Sequence, residues 1–219
     1  MSDSLPIVCR RLHHIFESAP STIKSDYIMG RYLSHLNKFS YTSIVSFALR
    51  YPLCHTPEVL DALLKRSAAR PPNGTYVVRL PRWLFLRLGH SGEEALPLLR
   101  YLYRRRDPPI RPIPDSHNGF PLASAVKAGA IPLVRFLLKQ GASPFFKDSL
   151  AVRFAIKRRD LDLVRLLIDS AKGFSGDVEV DPNMLKIAVK LGARDIAEYF
   201  VKEKGCIPDL ETITLLRVR

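Results

Sequence analysis

The feature that most constrains the fold is the stretch PLASAVKAGAIPLVRFLLKQGASP, which runs from Pro121 to Pro144. Pro121 can open a helix, because its fixed φ suits the first helical position and its missing N–H group would be unpaired there anyway. Gly129 tolerates left-handed backbone geometry and ends this helix after about two turns. Next comes an apolar run with the period of a helix that buries one face, and Gly141 ends this second helix. The run consists of Ile131, Leu133, Val134, Leu137 and Leu138. The stretch predicts a short helix, a turn and a longer helix.

The same pattern recurs twice further along the chain. Ala125 and Ala155 are 30 residues apart, and Ala188 follows 33 residues later. Each alanine is followed, after nine and twelve residues, by a pair of apolar side chains: Val134 and Leu137, Val164 and Leu167, and Ala197 and Phe200. A helical hairpin that recurs at this period predicts stacked repeats, in which each hairpin buries its apolar face against its neighbours.

The residues of these three units resemble a known family. The first unit is similar to an ankyrin repeat through Phe120 to Ala125, Gly129, Leu133-Val134, Leu137-Leu138 and Gly141-Ala142, with Phe120 and Ala123 where Thr and His are usual. In the second unit, Val152 to Leu167, Arg159 replaces the turn glycine, and the third, Leu185 to Val201, reaches Gly205 one residue late. The resemblance is clearest over residues 115–206. Three amphipathic hairpins of another helical protein would show a similar period, so that alternative stays open.

The resemblance implies an all-α fold, an ankyrin-like solenoid of stacked helical hairpins with a helical N-terminal region. We expect an N-terminal helical cap at 1–38, degenerate ankyrin-like hairpins at 39–114, and ankyrin repeats with a C-terminal cap at 115–219. Within this plan, residues 107–115, DPPIRPIPD, predict a stiff extended connector, or a PxxP ligand for an SH3-type groove. Pro208 and Asp209 can start a last helix through Leu216, which would shield the end of the stack.

Further helices are predicted before the repeats. Residues 26–37 and 40–51 have helical patterns, and Thr56-Pro57-Glu58 supplies a cap, a helix-starting proline and a first-turn acid. Leu5-Pro6 followed by Ile15-Phe16 resembles the start of an F-box, the motif that docks a substrate receptor onto a ubiquitin ligase; the alternative is a capping helix for the stack. Residues 75–80 can be extended, whereas Pro81, Phe85 and Gly89 repeat the offsets of Pro121, Ala125 and Gly129 and predict another degenerate repeat.

Composition limits the classes of function. The 219 residues carry 34 Lys and Arg against 21 Asp and Glu, and the resulting charge of +13 attracts nucleic acids, anionic membranes or acidic proteins without selecting among them. No apolar run reaches the roughly 18 residues of a membrane span, and a secretory leader is missing, so we expect a cytoplasmic or nuclear protein. Cys9, Cys54 and Cys206 have neither a disulfide framework nor zinc spacing, and the adjacent His13 and His14 point apart on a helix, so no metal site is predicted.

The sequence shows no catalytic constellation. A glycine-rich phosphate loop, a GxSxG elbow, an HExxH pair and a dinucleotide GxGxxG are all missing. Asp160 and Asp162 lie at a helix entry, where acids favour the positive end of the helix dipole, and we interpret them as structural. We therefore expect a non-enzymatic protein without a cofactor.

Basic residues suggest two candidate surfaces. Lys127, Lys157 and Lys190 each follow a repeat alanine by two residues, so stacking should align them, although basic residues are also ordinary at helix C-termini. The resemblance to ankyrin domains implies a protein partner, and the basic residues favour an acidic one. The residues expected to bind it are Lys127, Arg153, Lys157, Arg158, Lys186 and Lys190.

The second candidate surface is arginine-rich. It contains Arg100, Arg104, Arg105, Arg106 and Arg111, with Tyr101 and Tyr103 interleaved as aromatics that could stack on bases. This pattern is typical either of nucleic-acid contact or of a solvated helix end with half-buried tyrosines. We therefore expect a monomeric ankyrin-repeat protein that binds a protein partner, with a nucleic-acid-associated protein and a ubiquitin-ligase adaptor as alternatives.

Overall fold

In the computed structural model of the protein, the chain divides into two units by its internal contacts. The N-terminal unit combines Met1–Trp83 with Leu96–Ile113, and the repeat unit combines Leu84–Ala95 with Pro114–Arg219. The structure describes residues 10–35, 43–51, 56–66, 74–86, 88–89, 92–175 and 180–217. Within these residues, no helix is both long enough and apolar enough to cross a membrane.

Four helices begin the N-terminal unit: α1 (Arg10–Ser18), α2 (Ser21–His35), α3 (Ile44–Ala48) and α4 (Pro57–Arg66). The predicted start of α4 at Pro57 is confirmed, and α2 begins five residues before the predicted position. Ser43 caps α3 by accepting the N–H of Ser46 at 3.1 Å, and part of the helix expected over 40–51 lies outside the described residues. Helices α3 and α4 pack against α2 through buried side chains that include Ile28, Val45, Leu60 and Leu63.

The same unit also contains two short parallel strands and a further helix. Strands β1 (Tyr76–Arg79) and β2 (Ile110–Ile113) pair with Val77 opposite Arg111, and α5 (Leu96–Arg104) packs against β2. Tyr76 and Val78 are buried while Val77 and Arg79 are exposed, which is the alternation of a strand with one covered face.

These strands differ from the helical hairpins expected in this part of the chain. The extended alternative for 75–80 is the observed one, and the helix expected from Pro81 is a single 3₁₀ turn at Arg82–Phe85. The proline-rich connector is extended as predicted and supplies β2, where Pro112 is tolerated because a two-stranded sheet leaves one side of each strand unpaired.

The repeat unit is built from helices joined by tight turns. Its helices are α6 (Ser116–Ala128), α7 (Ile131–Lys139), α8 (Phe146–Lys157), α9 (Leu161–Ser175), α10 (Pro182–Leu191), α11 (Arg194–Glu198) and α12 (Leu210–Arg217), and α11 continues into a π-helical turn at Tyr199–Glu203. Helices α6, α8, α10 and α12 pack side by side, and we call them the first-helix row. Helices α7, α9 and α11 form a second-helix row.

The turns inside the three hairpins share one hydrogen bond. The carbonyl oxygens of Ala125, Ala155 and Ala188 each accept the N–H of the residue five positions later, at 3.0, 3.3 and 3.0 Å. All three alanines are fully buried, because a larger side chain would hold neighbouring helices apart. The predicted equivalence of the three alanines is therefore matched by their backbone geometry.

A second recurring turn precedes α6 and α8. Residues 117–119 and residues 147–149 all have positive φ, between 52° and 75°, immediately before the regular part of each helix. The two turns are 30 residues apart, the same spacing as Ala125 and Ala155. The recurrence thus extends beyond the helices into the loops that lead into them.

Candidate functional site

The first-helix row carries the cations that the sequence singled out. Lys127, Lys157 and Lys190 lie in the last turns of α6, α8 and α10, and all three are exposed. These three helices are consecutive neighbours in the row, and the three lysines occupy corresponding positions near their C-terminal ends. Their environments nevertheless differ from one helix to the next.

At α6, Lys127 lies close to two side chains from the next hairpin. Its Nζ is 6.0 Å from the ring centroid of Phe154, and its carbonyl oxygen accepts a hydrogen bond from Arg158 Nη1 at 3.3 Å. The Arg158 guanidinium also covers Gly129, where an added Cβ would collide with it. Arg158 therefore closes the hairpin turn, while Lys127 keeps an exposed ammonium group.

At α10, two of the predicted cations already hold a carboxylate. Lys186 forms an ion pair with Glu211 of α12, and Lys190 Nζ lies 3.3 Å from the other carboxylate oxygen. The hydrogen bond to Lys186 lowers the pKa of Glu211, and the same bond raises the pKa of Lys186. Glu211 is not among the residues predicted from the sequence, although the last helix expected from Pro208 includes it and would stack beside Lys186 and Lys190.

Arg153 and Lys157 of α8 make no ion pair within the part of the chain that the structure describes. Arg153 is half-buried, and its Nε is covered from solvent without a hydrogen-bond acceptor among the described residues. Lys157 lies one turn later and is exposed. Together with the exposed ammonium group of Lys127, these two side chains are predicted cations that have no carboxylate partner among the described residues.

Two concavities flank α8. The one towards α6 has a volume of about 380 Å³ and is mostly apolar; its walls are Phe85, Leu86, Leu88, Phe120, Ala123, Ser124, Lys127, Ala128, Leu150 and Phe154. We call it the apolar pocket. The one towards α10 has a volume of about 420 Å³ and is more polar; it is lined by Asp148, Arg153, Asp181, Asn183, Met184, Lys186, Ile187 and Lys190. We call it the polar groove.

The arginine-rich surface belongs to the N-terminal unit. Arg100 and Arg104 are exposed on α5 and line a shallow hollow together with Arg105. Arg106 follows the helix, and Arg111 lies on the outer face of β2; both are exposed. The structure brings Arg100, Arg104 and Arg105 around one hollow.

Arg105 and Tyr101 are engaged within the N-terminal unit. Arg105 forms an ion pair with Asp61, and the Tyr101 hydroxyl donates to the same carboxylate at 2.6 Å. Burial, with a smaller contribution from the charge of Glu58, raises the pKa of Tyr101 to about 12. Tyr101 and Tyr103 are both half-buried. The sequence left two alternatives open, stacking on bases or a helix end with half-buried tyrosines, and the structure has the half-buried tyrosines.

The other residues considered from the sequence either have structural roles or lie outside the described residues. Asp160 caps α9 by accepting the N–H of Leu163 at 3.0 Å, and Asp162 is exposed in the first turn. Cys206 is a buried thiol whose pKa is raised by burial, whereas Cys9 and Cys54 lie outside the described residues. Among the described residues, no group of His, Cys, Asp and Glu side chains could hold a metal ion. The start of the F-box-like segment, from Leu5 to Cys9, also lies outside the described residues.

Comparison with known proteins agrees with this geometry. Residues 122–212 match the family model described as ankyrin repeats in three copies, a segment that begins in α6 and ends in α12. Neither a curated protein nor a solved structure matches the chain significantly. The helical hairpins between residues 122 and 212 are therefore similar to ankyrin repeats. Ankyrin repeats are modules for protein–protein interaction and generally act without catalysis.

Proposed function

We propose that the repeat unit is a non-enzymatic interaction module whose first-helix row binds an acidic surface of a protein partner. The observation that carries this proposal is that Lys127, Lys157 and Lys190 occupy corresponding positions on three neighbouring helices of the row, with Arg153 and Lys190 lining one groove. A partner that places carboxylates along the row would meet a cation at each successive repeat.

The charge of the whole chain supports the same partner chemistry. With a net charge of +13, the protein attracts acidic surfaces over a distance of about one Debye length, which raises the association rate. The binding should weaken as salt is added, because exposed charge pairs are screened. Contacts in the apolar pocket would supply the salt-independent part of the affinity.

Affinity capture tests the proposal. The tagged full-length chain is incubated with cell lysate at moderate salt, with and without nuclease, and the bound species are identified by mass spectrometry. We expect a protein with an acidic surface that stays bound after nuclease treatment. If the bound material disappears with nuclease, the protein-interaction role of the row is contradicted.

A nucleic-acid role is the second candidate, and one observation favours it. All the Lys and Arg residues between positions 67 and 126 are arginines, whose planar guanidinium suits phosphate. Arg100 and Arg104 are exposed on one hollow of the N-terminal unit. Fluorescence anisotropy with labelled single-stranded and duplex oligonucleotides tests this role, and binding should fall steeply between about 50 and 200 mM salt. Lack of binding at low salt would contradict it.

A further inference from the structure

The first-helix row has features that select one kind of peptide, if it binds a protein partner as in the proposed function. Helix α8 separates the apolar pocket from the polar groove, because Leu150 and Phe154 line the pocket whereas Arg153 lines the groove. Since consecutive helical residues are about 100° apart, Lys157 projects about 40° from Arg153, between the Arg153 and Phe154 directions. One helix thus presents an apolar wall and a cation to neighbouring concavities.

The pocket has the properties of an anchor site. Its walls are aliphatic and aromatic apart from Ser124 and Lys127, and Leu86 at its edge is 66% exposed. Large apolar side chains that fill such pockets usually dominate the affinity of a protein interface. Lys127 lies over the Phe154 ring at the rim, so an acidic residue next to the anchor would be tolerated there.

The groove has a cation that lacks an acceptor. Buried donors in proteins are nearly always hydrogen-bonded, yet Arg153 Nε is covered and has no acceptor among the described residues. Asp148 and Asp181 line the same groove without pairing with Arg153. On the neighbouring helix, Lys186 and Lys190 hold the carboxylate of Glu211, so a carboxylate is compatible with this face. Arg153 lines the groove and has neither an ion pair nor a hydrogen bond among the described residues, so the part of its guanidinium that faces the groove is the group that a carboxylate from outside would contact.

We propose that the bound segment of the partner is an extended peptide that places a large apolar side chain in the apolar pocket and an Asp or Glu on Arg153. The two concavities lie on either side of α8, so their centres are about one helix spacing apart, or roughly 8–10 Å. An extended chain advances about 3.3 Å per residue, so the apolar residue and the acid are about three positions apart. A helical peptide would need a separation of about six.

Selection from a random peptide library tests this proposal. Dodecapeptides displayed on phage are selected on the purified full-length chain at moderate salt. The expected result is enrichment of an aromatic or aliphatic residue together with Asp or Glu about three positions away, in one order along the chain. Enrichment without this pair, or with the pair at the helical separation, would overturn the proposal.

A double-mutant cycle then tests the contact with Arg153. Titration of a selected peptide should show that Arg153→Gln weakens binding about tenfold, because a charge-assisted hydrogen bond is lost, whereas Arg135→Gln on α7 leaves it unchanged. A peptide with Asn in place of its acid should bind Arg153→Gln and the unchanged protein equally well. Additive losses in this cycle would overturn the assignment. Circular dichroism and the melting temperature verify that Arg153→Gln is folded.

The apolar pocket has its own variant. Leu86 is exposed, so Leu86→Ser should fold normally and bind the selected peptide more weakly. The loss should depend on the apolar residue of the peptide, and the contribution of the peptide's acidic residue to the affinity should be unchanged. If Lys127→Glu, Lys157→Glu and Lys190→Glu together abolish binding of peptides that lack the apolar–acid pair, the inference fails and the proposed function stands. If that triple variant still captures the acidic partner, the proposed function fails, whereas loss of the Arg153→Gln effect on the selected peptides overturns the inference.

Discussion

Arg159 occupies a backbone position that favours glycine. It has φ 55° at the turn between α8 and α9, where the first and third hairpins have Gly129 at φ 77° and Gly192 at φ 68°. The backbone hydrogen bond of the turn is still formed, and Arg159 Nη2 donates to the carbonyl oxygen of Leu191 at 2.5 Å. The side chain thus gains a contact with the next hairpin while its Cβ is strained.

Two substitutions separate the strain from that contact. Arg159→Ala and Arg159→Gly both remove the hydrogen bond to Leu191, but only glycine relieves the left-handed strain of a Cβ. We expect Arg159→Gly to be more stable than Arg159→Ala by about 1 kcal/mol in urea denaturation, after allowance for the greater entropy of unfolded glycine. Equal free energies of unfolding for the two variants would contradict the assignment of strain.

Some backbone conformations and contacts of single residues could be predicted from the sequence, and others could not. The positions of Ala125, Gly129 and Gly192 follow from spacing, because only small residues fit between packed helices and glycine is favoured at left-handed turns. Lys147 and Ser149 also have positive φ, yet neither residue type indicates such a conformation. Arg153 likewise lacks an acceptor because of the side chains that neighbouring helices place around it. The spacing of residues within one helix does not predict those neighbours.

At the scale of elements, Asp160 has a capping role that is separable from its charge. Its carboxylate accepts the N–H of Leu163 at 3.0 Å, whereas Asp162 lies in the first turn with its side chain exposed. Asp160→Ala should lower the free energy of unfolding by about 1 kcal/mol, because a first-turn N–H loses its acceptor. Asp162→Ala removes the same charge near the helix dipole and should cost about half as much or less. Chemical denaturation compares them, and equal losses would contradict the capping role.

Helix α12 affects the binding face through Glu211. Glu211→Gln should release Lys186 and Lys190 and strengthen capture of an acidic partner by about two- to fivefold, the range of exposed ion pairs. Glu198→Gln is a matched control, since Glu198 pairs with Lys202 four residues away and lies outside the first-helix row. Titration of the captured partner at moderate salt measures both. Weaker binding by Glu211→Gln than by Glu198→Gln would show that Glu211 supports the site rather than occupying it.

The elements differ in how far their sequences determine them. Helix α4 begins where Thr56, Pro57 and Glu58 predict, because capping and proline geometry are local effects. Strands β1 and β2 are too short for a firm prediction, and each depends on a partner more than thirty residues away. Pairing between distant segments is a tertiary effect, so the pattern of residues 75–80 left both a strand and a helical repeat open.

At the scale of the whole molecule, the repeat region and the positive net charge of the chain both support the proposed function. The match to ankyrin repeats covers residues 122–212, and the spacing of its alanines already predicts this stack. The predicted cations fall into different states that the sequence does not distinguish: Arg158 closes a turn, Lys186 and Lys190 hold Glu211, and Arg153 and Lys157 make no ion pair in the described part of the chain.

The measurement that most directly tests the central claim is partner capture by two charge-reversal variants of the full-length chain. One variant combines Lys127→Glu, Lys157→Glu and Lys190→Glu on the first-helix row, and the other combines Arg135→Glu, Lys139→Glu and Arg194→Glu on the second-helix row. Both change the net charge equally, and circular dichroism verifies that each is folded. We predict that the first variant loses the partner and that the second keeps it. Equal capture by the two variants would contradict a binding site on the first-helix row.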